Sequence, residues 1–295
     1  MRKPLLISLV CILGALALLL WGFNQAPAEL DAAPSRYVLL IESDTGSFLM
    51  QLRKGMQEAA AAHGAYLAVQ IVSPDAAAQA AELADAGFTA AILLLDDPAP
   101  MLEALKPKGI PALIVGQIVR GQVCIISDDE GAGLQLLQRA LSLALPEQVL
   151  LLTDAADPRA MGRVAGAIEL ARHNSVLTLP WVGELPIQPF RVMVGASAHI
   201  TRQLAEAKAA GALSADCLIL GVDTGDSRVQ YLERGLVSAF TADNPYAMGY
   251  LAAEKARLLT MDQLSPSLFA SSAPLIDIQN MYLHENVKLV FPLLQ

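Results

Sequence analysis

Cysteine is scarce in this chain. Its 295 residues include three, Cys11, Cys124 and Cys217. Cys11 falls in an N-terminal apolar run, and the other two fall in separate apolar stretches that read as buried strands. Thiols placed so behave as small hydrophobes rather than as a disulfide framework, and no Cys-x-x-Cys spacing offers a zinc site. Aromatic residues make up only 5% and charged residues only 17%. Basic side chains number 20 against 29 acidic ones, a net charge of −9. That balance argues against a general nucleic-acid binder, which neutralises phosphate with Lys and Arg. Catalytic signatures are missing too: there is no Gly-x-Ser-x-Gly elbow, no His-Glu-x-x-His and no Walker loop. The four histidines, His63, His173, His199 and His284, are scattered over helix ends and a C-terminal loop, and read as surface or capping residues. Gly131-Ala-Gly133 follows a strand but lacks the third glycine of a dinucleotide fingerprint, and Asp128 to Glu130 would repel a pyrophosphate there. The same acidic trio suits a helix start, where the dipole favours it, better than a metal site. The sequence asks for no catalytic residue, no cofactor and no metal.

What the chain has in plenty is apolar residues, 54% of the total, enough for the cores of two domains. The first of them follow Arg2 and Lys3, in an uncharged run from Leu5 to Phe23 that ends before Ala26-Pro27-Ala28. The run is longer than the ~7–15 residues of a usual signal core and close to the ~20 that span a bilayer, so residues 1–28 read as a signal peptide or a membrane anchor. Either reading puts everything from Glu29 onward outside the cytoplasmic membrane, with the basic end inside. Residues 29–35 read as a linker.

From Tyr37 an α/β rhythm begins. Short apolar runs (Tyr37–Ile41, Tyr66–Val72, Thr89–Leu95, Pro111–Val115, Val123–Ile126) alternate with helical patterns over Phe48–His63, Asp75–Ala86, Pro98–Leu105 and Asp128–Leu145. Gly64 and Gly87 close two of those helices. The second half repeats the rhythm through Val149–Leu152, Pro158–Arg172, Val176–Val182, Val192–Val194, Ser197–Ala210 and Leu218–Gly221. Such alternation implies parallel sheets covered by helices on both faces. The stretch Gly235 to Tyr250 then runs as a strand, Leu236–Thr241, breaks at Asp243-Asn244-Pro245, and enters a helix to about Leu259. Asn caps a helix and Pro fits its first turn.

These residues resemble a known family. Gly221-Val-Asp-Thr-Gly225, a short strand, and then Asn244-Pro-Tyr-Ala-Met-Gly-Tyr250 are similar to the C-terminal half of a type I periplasmic binding protein, in its sugar-binding, ribose-binding-protein-like group. Asp44-Thr-Gly-Ser-Phe48, Leu52-Arg-Lys-Gly55 and Ala59–Gly64 resemble the start of the first half, so that the likeness covers most of residues 36–292. The resemblance implies two Rossmann-like α/β lobes joined by a three-strand hinge and preceded by one N-terminal apolar helix. The first lobe would be 36–126 plus 244–272, and the second 127–243 plus 273–292. It implies an extracytoplasmic receptor that closes around a small sugar-like molecule and delivers it to an ABC permease. The alternative is a membrane-tethered sensor acting on a histidine kinase or chemoreceptor.

Ligand contacts would come from Asp44, Phe48, Gln117, Arg163, Asp223 and Asp243, and the hinge from Ser127, Asp128, Asp243 and Asn244. Phe48 matches one member of the family's aromatic pair, Arg163 a cleft arginine, and Asp223 an acid that accepts from hydroxyls. Each has a plainer reading as well: Asp44 as a cap, Phe48 as core, Arg163 as a solvated helix residue, Asp223 as an Asx-turn, and Asp243 as a partner of the cap Asn244. The chain departs from the pattern at Gly46, at Gly116-Gln117 and at Ala196-Ser197, where the family places polar sugar contacts. Pro180–Arg191 is also too short for the family's helix there. The departures imply a pocket altered for a less hydroxyl-rich ligand, or one that no longer grips tightly.

Overall fold

The computed structural model describes residues 35–43, 46–186, 189–223 and 225–291. The N-terminal apolar run expected to be helical, most of its linker, and Asp44 lie outside the described residues. Within them, no helix is long and apolar enough to cross a membrane.

Two six-stranded sheets organise the chain. The first is built from β1 (Arg36–Ile41), β2 (Tyr66–Ile71), β3 (Ala90–Leu94), β4 (Ala112–Val115) and β5 (Val123–Ser127). Helices α1 (Ser47–Ala62), α2 (Ala76–Asp85) and α3 (Ala99–Leu105) connect its early strands. The second sheet uses β6 (Val149–Thr153), β7 (Leu177–Pro180), β8 (Val192–Gly195), β9 (Leu218–Val222) and β10 (Ala239–Thr241). Its helices are α4 (Asp129–Leu143), α5 (Pro158–His173), α6 (Ala198–Ala209) and the short α7 (Arg228–Glu233). Then come α8 (Pro245–Thr260), β11 (Leu268–Ser271), β12 (Leu275–Asp277) and α9 (His284–Val290).

The sheet orders are β11-β5-β4-β3-β1-β2 and β12-β10-β9-β8-β6-β7. Leaving out the late strands β11 and β12, both follow one doubly wound plan, in which the first strand lies between the second and the third. That plan puts a switch point, and so a natural ligand crevice, between β1 and β3 in one sheet and β6 and β8 in the other. All pairs are parallel except β10 with β12. The central strands β1, β3, β6 and β8 are buried on both faces, as their apolarity requires, whereas the edge strands β2, β7 and β11 are partly exposed. In β1, Tyr37, Leu39 and Ile41 face one core with Leu52, Met56 and Met248, while Val38 and Leu40 face the other with Leu83 and Met101. In β6, Leu150 and Leu152 separate from Val149 and Leu151 in the same way.

Glycine sets the closest helix contacts. A Cβ on Gly55 of α1 would lie 2.0 Å from the Tyr246 carbonyl oxygen, and one on Gly249 of α8 would lie 2.0 Å from that of Leu52. The second pair repeats the device: a Cβ on Gly133 of α4 would lie 1.8 Å from the Arg163 carbonyl oxygen, and one on Gly166 of α5 would lie 2.0 Å from that of Glu130. Gly131 and Gly133 thus serve helix capping and helix packing; a Cβ on Gly131 would collide with the Asp128 carboxylate that caps α4.

The chain passes between the sheets three times, after β5, after β10 and between β11 and β12. These crossings are bonded to one another. Asp128 N donates to Ser271 O at 2.8 Å, Ala242 N to Pro274 O at 3.1 Å, and Ser127 Oγ to Asp243 Oδ1 at 2.7 Å. Asn244 caps α8, its side chain accepting from Ala247 N at 2.9 Å.

Some element readings need correction. The strand read from Leu236 begins at Ala239; Leu236 and Val237 are core residues of the preceding turn. His284 opens α9 rather than lying in a loop. The shortness of Pro180–Arg191, by contrast, agrees with the structure: no helix joins β7 to β8 among the described residues, and Trp181 and Leu185 pack on the core there instead. Cys124 and Cys217 are buried free thiols, and burial pushes the Cys217 thiol up.

Candidate functional site

The close contact of Gly133 and Gly166 brings the first turns of α4 and α5 together, and with them Asp129, Arg159 and Arg163. Arg159 forks onto both oxygens of Asp129, through Nε at 2.9 Å and Nη2 at 3.0 Å. It reaches both oxygens of Asp243 as well, at 2.8 and 2.7 Å. Arg163 sits behind it, only 4% exposed, with Nη2 2.7 Å from Asp129 Oδ1 and Nη1 donating to Ala196 O at 3.1 Å. One guanidinium therefore ties the second-lobe helices to the crossing after β10, and Ser127 ties that crossing to the one after β5.

The charges follow from this geometry. Burial alone would raise the Asp243 carboxyl, but the Arg159 hydrogen bonds and charge outweigh it and hold it below the usual carboxylate range. Burial likewise works against the charge on Arg159, and its bonds to Asp243 and Asp129 overcome that and raise it. Burial lowers Arg163 despite Asp129 nearby. Asp223 behaves in the opposite way to Asp243. Burial raises it although Arg228 Nη1 lies 2.5 Å from Oδ2 and Gly225 N donates to Oδ1 at 2.7 Å.

A cavity of about 290 Å³ opens beside this network, walled by Phe48, Gln51, Arg159, Asp223, Arg228 and Leu289 among others. Gln51 is buried, and its Oε1 has no hydrogen-bond partner among the described residues. A second cavity of about 520 Å³ lies beside the first, and Phe48, Arg159 and Asp243 wall both.

Of the residues singled out by sequence, Phe48, Arg163, Asp223 and Asp243 come together at the first cavity. Gln117 lies at the second, its amide already donating to Leu95 O at 2.5 Å and Asp96 O at 3.2 Å. Ser127, Asp128 and Asn244 sit at the crossings, the last two as helix caps. Ala196 and Ser197 are likewise committed to their own chain, Ser197 capping α6 and donating to Asp154 Oδ2 at 3.1 Å. Sequence reasoning missed Arg159, Arg228, Asp129 and Gln51. Arg159 stands four residues before Arg163, on the same helix face, a spacing that could have revealed it. Arg228 gave no signal, because α7 was not foreseen.

No family model and no curated protein matches the sequence. Solved structures do match it. The described architecture is similar to that of a chain from a mutant of the XylFII–LytSN complex, with a TM-score of 0.72 and 15% identity over 84% of this chain and 99% of that one. It is similar to a periplasmic ribose ABC transporter protein from Conexibacter woesei, with a TM-score of 0.69 and 14% identity over 86% and 94%. An ABC transporter solute-binding protein from Agrobacterium vitis bound with alpha-D-tagatopyranose gives a TM-score of 0.64 and 19% identity over 87% and 99%. The chain has the type I periplasmic-binding-protein fold. In that fold the two sheets are the two lobes, and both cavities lie where loops of one lobe meet helix starts of the other.

Proposed function

We propose that this chain is an extracytoplasmic solute-binding protein that closes around one small, neutral, sugar-like molecule and delivers it to an ABC permease. The observation that carries the reading is the first cavity, where groups from both lobes and from a crossing converge beyond the strand ends. Three short crossings form a joint about which lobes can rotate, and a ligand that touches both lobes stabilises the closed state. Arg159, Arg163 and Arg228 balance Asp157, Asp223 and Asp243 in the wall, which suits an uncharged ligand with hydroxyl donors and acceptors. Phe48 offers a face for the apolar side of a ring. Sugar ligands and ABC transport appear in the names of the similar structures, which supports the same reading here. The lobes would be 36–126 plus 244–272 and 127–243 plus 273–292. Residues 1–28 would carry the chain across the cytoplasmic membrane or hold it there. The site binds; it is not assigned a reaction or a cofactor.

The test is a thermal-shift screen of the full chain against sugars, sugar alcohols, nucleosides and amino acids. A ligand at 100 times its Kd stabilises the native state by about 2.7 kcal/mol. A neutral sugar should shift the transition, and small-angle scattering should show compaction. A flat response from a folded chain refutes the reading.

One observation favours a second reading, a tethered sensor that passes the closed state to a kinase. A similar structure was solved in complex with a second protein, LytSN, and the N-terminal run is long enough to remain as an anchor. Intact mass of the mature protein separates the two: loss of residues 1–28 favours the diffusing carrier, and their retention favours the sensor.

A further inference from the structure

The second cavity differs in character from the first. Its walls include Ile118, Ile126, Met248, Leu268 and Ala270, with Phe48 at the junction. Its polar groups are largely occupied. Asp129 and Asp243 have both oxygens on arginine, and Asp128 caps α4 through Gly131 N at 2.8 Å. The exposed Glu130 stands at the rim. The space is also larger, about 520 Å³ against about 290 Å³. Such a space offers apolar contact and few free donors, and its carboxylates oppose an anion.

Resting on the receptor reading above, we infer that the two cavities form one bipartite site for a neutral glycoside. The hydroxylated ring sits among Gln51, Asp223 and Arg228, and an uncharged apolar aglycone passes Phe48 into the second cavity. Gln51 carries a buried acceptor without a partner on the polar side. A ring hydroxyl can satisfy it once the side chain turns toward the ligand. The Phe48 ring is the shared wall against which ring and aglycone both pack. A free sugar fills the first part only. An alkyl or aryl glycoside removes more apolar surface from water and binds more tightly for that reason.

Calorimetric titration of the full chain with free hexoses and pentoses, their methyl glycosides and their phenyl glycosides tests this. For the sugar that binds, the phenyl glycoside should bind about tenfold or more tightly than the methyl glycoside. A carboxyphenyl glycoside should lose that gain. Ala270→Trp, on the exposed edge strand, should remove it by filling the second cavity, and Leu268→Asp should do so by charging its wall. Equal affinity for methyl and phenyl glycosides overturns the bipartite site and leaves the receptor reading standing. A gain that survives both substitutions also overturns it, because the aglycone then lies elsewhere. Failure of every sugar and glycoside to bind the folded chain overturns the receptor reading and this inference together.

Discussion

Arg159→Met is the most informative single change, because Arg159 joins the second-lobe helices to a crossing. The substitution keeps an unbranched apolar stem and removes the guanidinium and its charge. Asp129 still has Arg163 at 2.7 Å, whereas Asp243 is left with the Ser127 hydroxyl at 2.7 Å. The cost therefore comes mainly from an orphaned Asp243. Removing one partner of a fully buried pair costs about 3–5 kcal/mol. The side chains here are 42% exposed for Arg159 and 28% for Asp243, so water screens part of the loss. We expect ~2 kcal/mol of destabilisation at pH 7, read from urea unfolding. The double variant Arg159→Met with Asp243→Asn should recover ~1 kcal/mol of that, since the unpaired charge is gone. The pH dependence has a definite sign. Asp243 has a native value below its ordinary one, so its contribution is full above about pH 4 and is lost as pH falls through the lower native value. The stability gap between wild type and Asp243→Asn should shrink over that interval. An Arg159→Met change within about 0.5 kcal/mol of wild type would mean a solvated surface pair, and would refute the argument that this strut holds the crossing.

Two further outcomes follow from the same geometry. Gly55→Ala places a Cβ 2.0 Å from the Tyr246 carbonyl oxygen, which is backbone and cannot rotate away; parting α1 from α8 should cost ~3 kcal/mol in urea unfolding, and a neutral result would mean that this contact is looser than it stands. Asp223 carries a raised carboxyl, so a ligand hydroxyl donated to it should lower that value and release a proton on binding in acid, an effect that fades as pH rises past the raised native value. Calorimetry in two buffers of different ionisation heat reads that release, and equal heats in the two buffers throughout the acid range would remove Asp223 from the ligand's contacts.

The plan of the fold was legible because its signals are local. Strands such as Val38–Ile41 are uninterrupted apolar runs of the length a buried parallel strand needs, and glycines at 64, 87 and 211 take the left-handed conformation just beyond helix ends. Asn244 before Pro245 announced the helix that it caps. Strands β11 and β12 gave no such signal. Leu268–Ser271 is half exposed and Leu275–Asp277 has three residues. Each is a strand because a distant sheet edge supplies its hydrogen bonds, with Ser271 in register with Ser127 in one case and Asp277 with Ala239 in the other. Non-local pairing of this kind leaves little trace in a short window. The site shows the same division. Arg163 could be picked out by resemblance, but which arginine reaches Asp243 and which stays buried behind it on Ala196 O depends on how Gly133 and Gly166 let α5 lie on α4. Asp129 looked like a dipole partner in a run of acids, and only that packing brings two guanidiniums to it.

On the proposed receptor reading, recognition and lobe rotation would be hard to separate. Asp243 lies on a crossing, and both its oxygens are engaged, Oδ1 by Ser127 and Arg159 and Oδ2 by Arg159. A ligand hydroxyl that approaches Asp243 must share those lone pairs or displace a donor. Displacing Ser127 loosens the link between the crossings after β5 and β10, and displacing Arg159 frees α5 from the joint. Either exchange would change the energy of the proposed lobe rotation by the bond that is lost, typically about 1 kcal/mol for a neutral donor and about 1.5–3 kcal/mol for a charged one. Ligand chemistry at this carboxylate would thereby be converted into a bias on lobe position without a relay through the cores, and a ligand that leaves Asp243 untouched would bind without that bias.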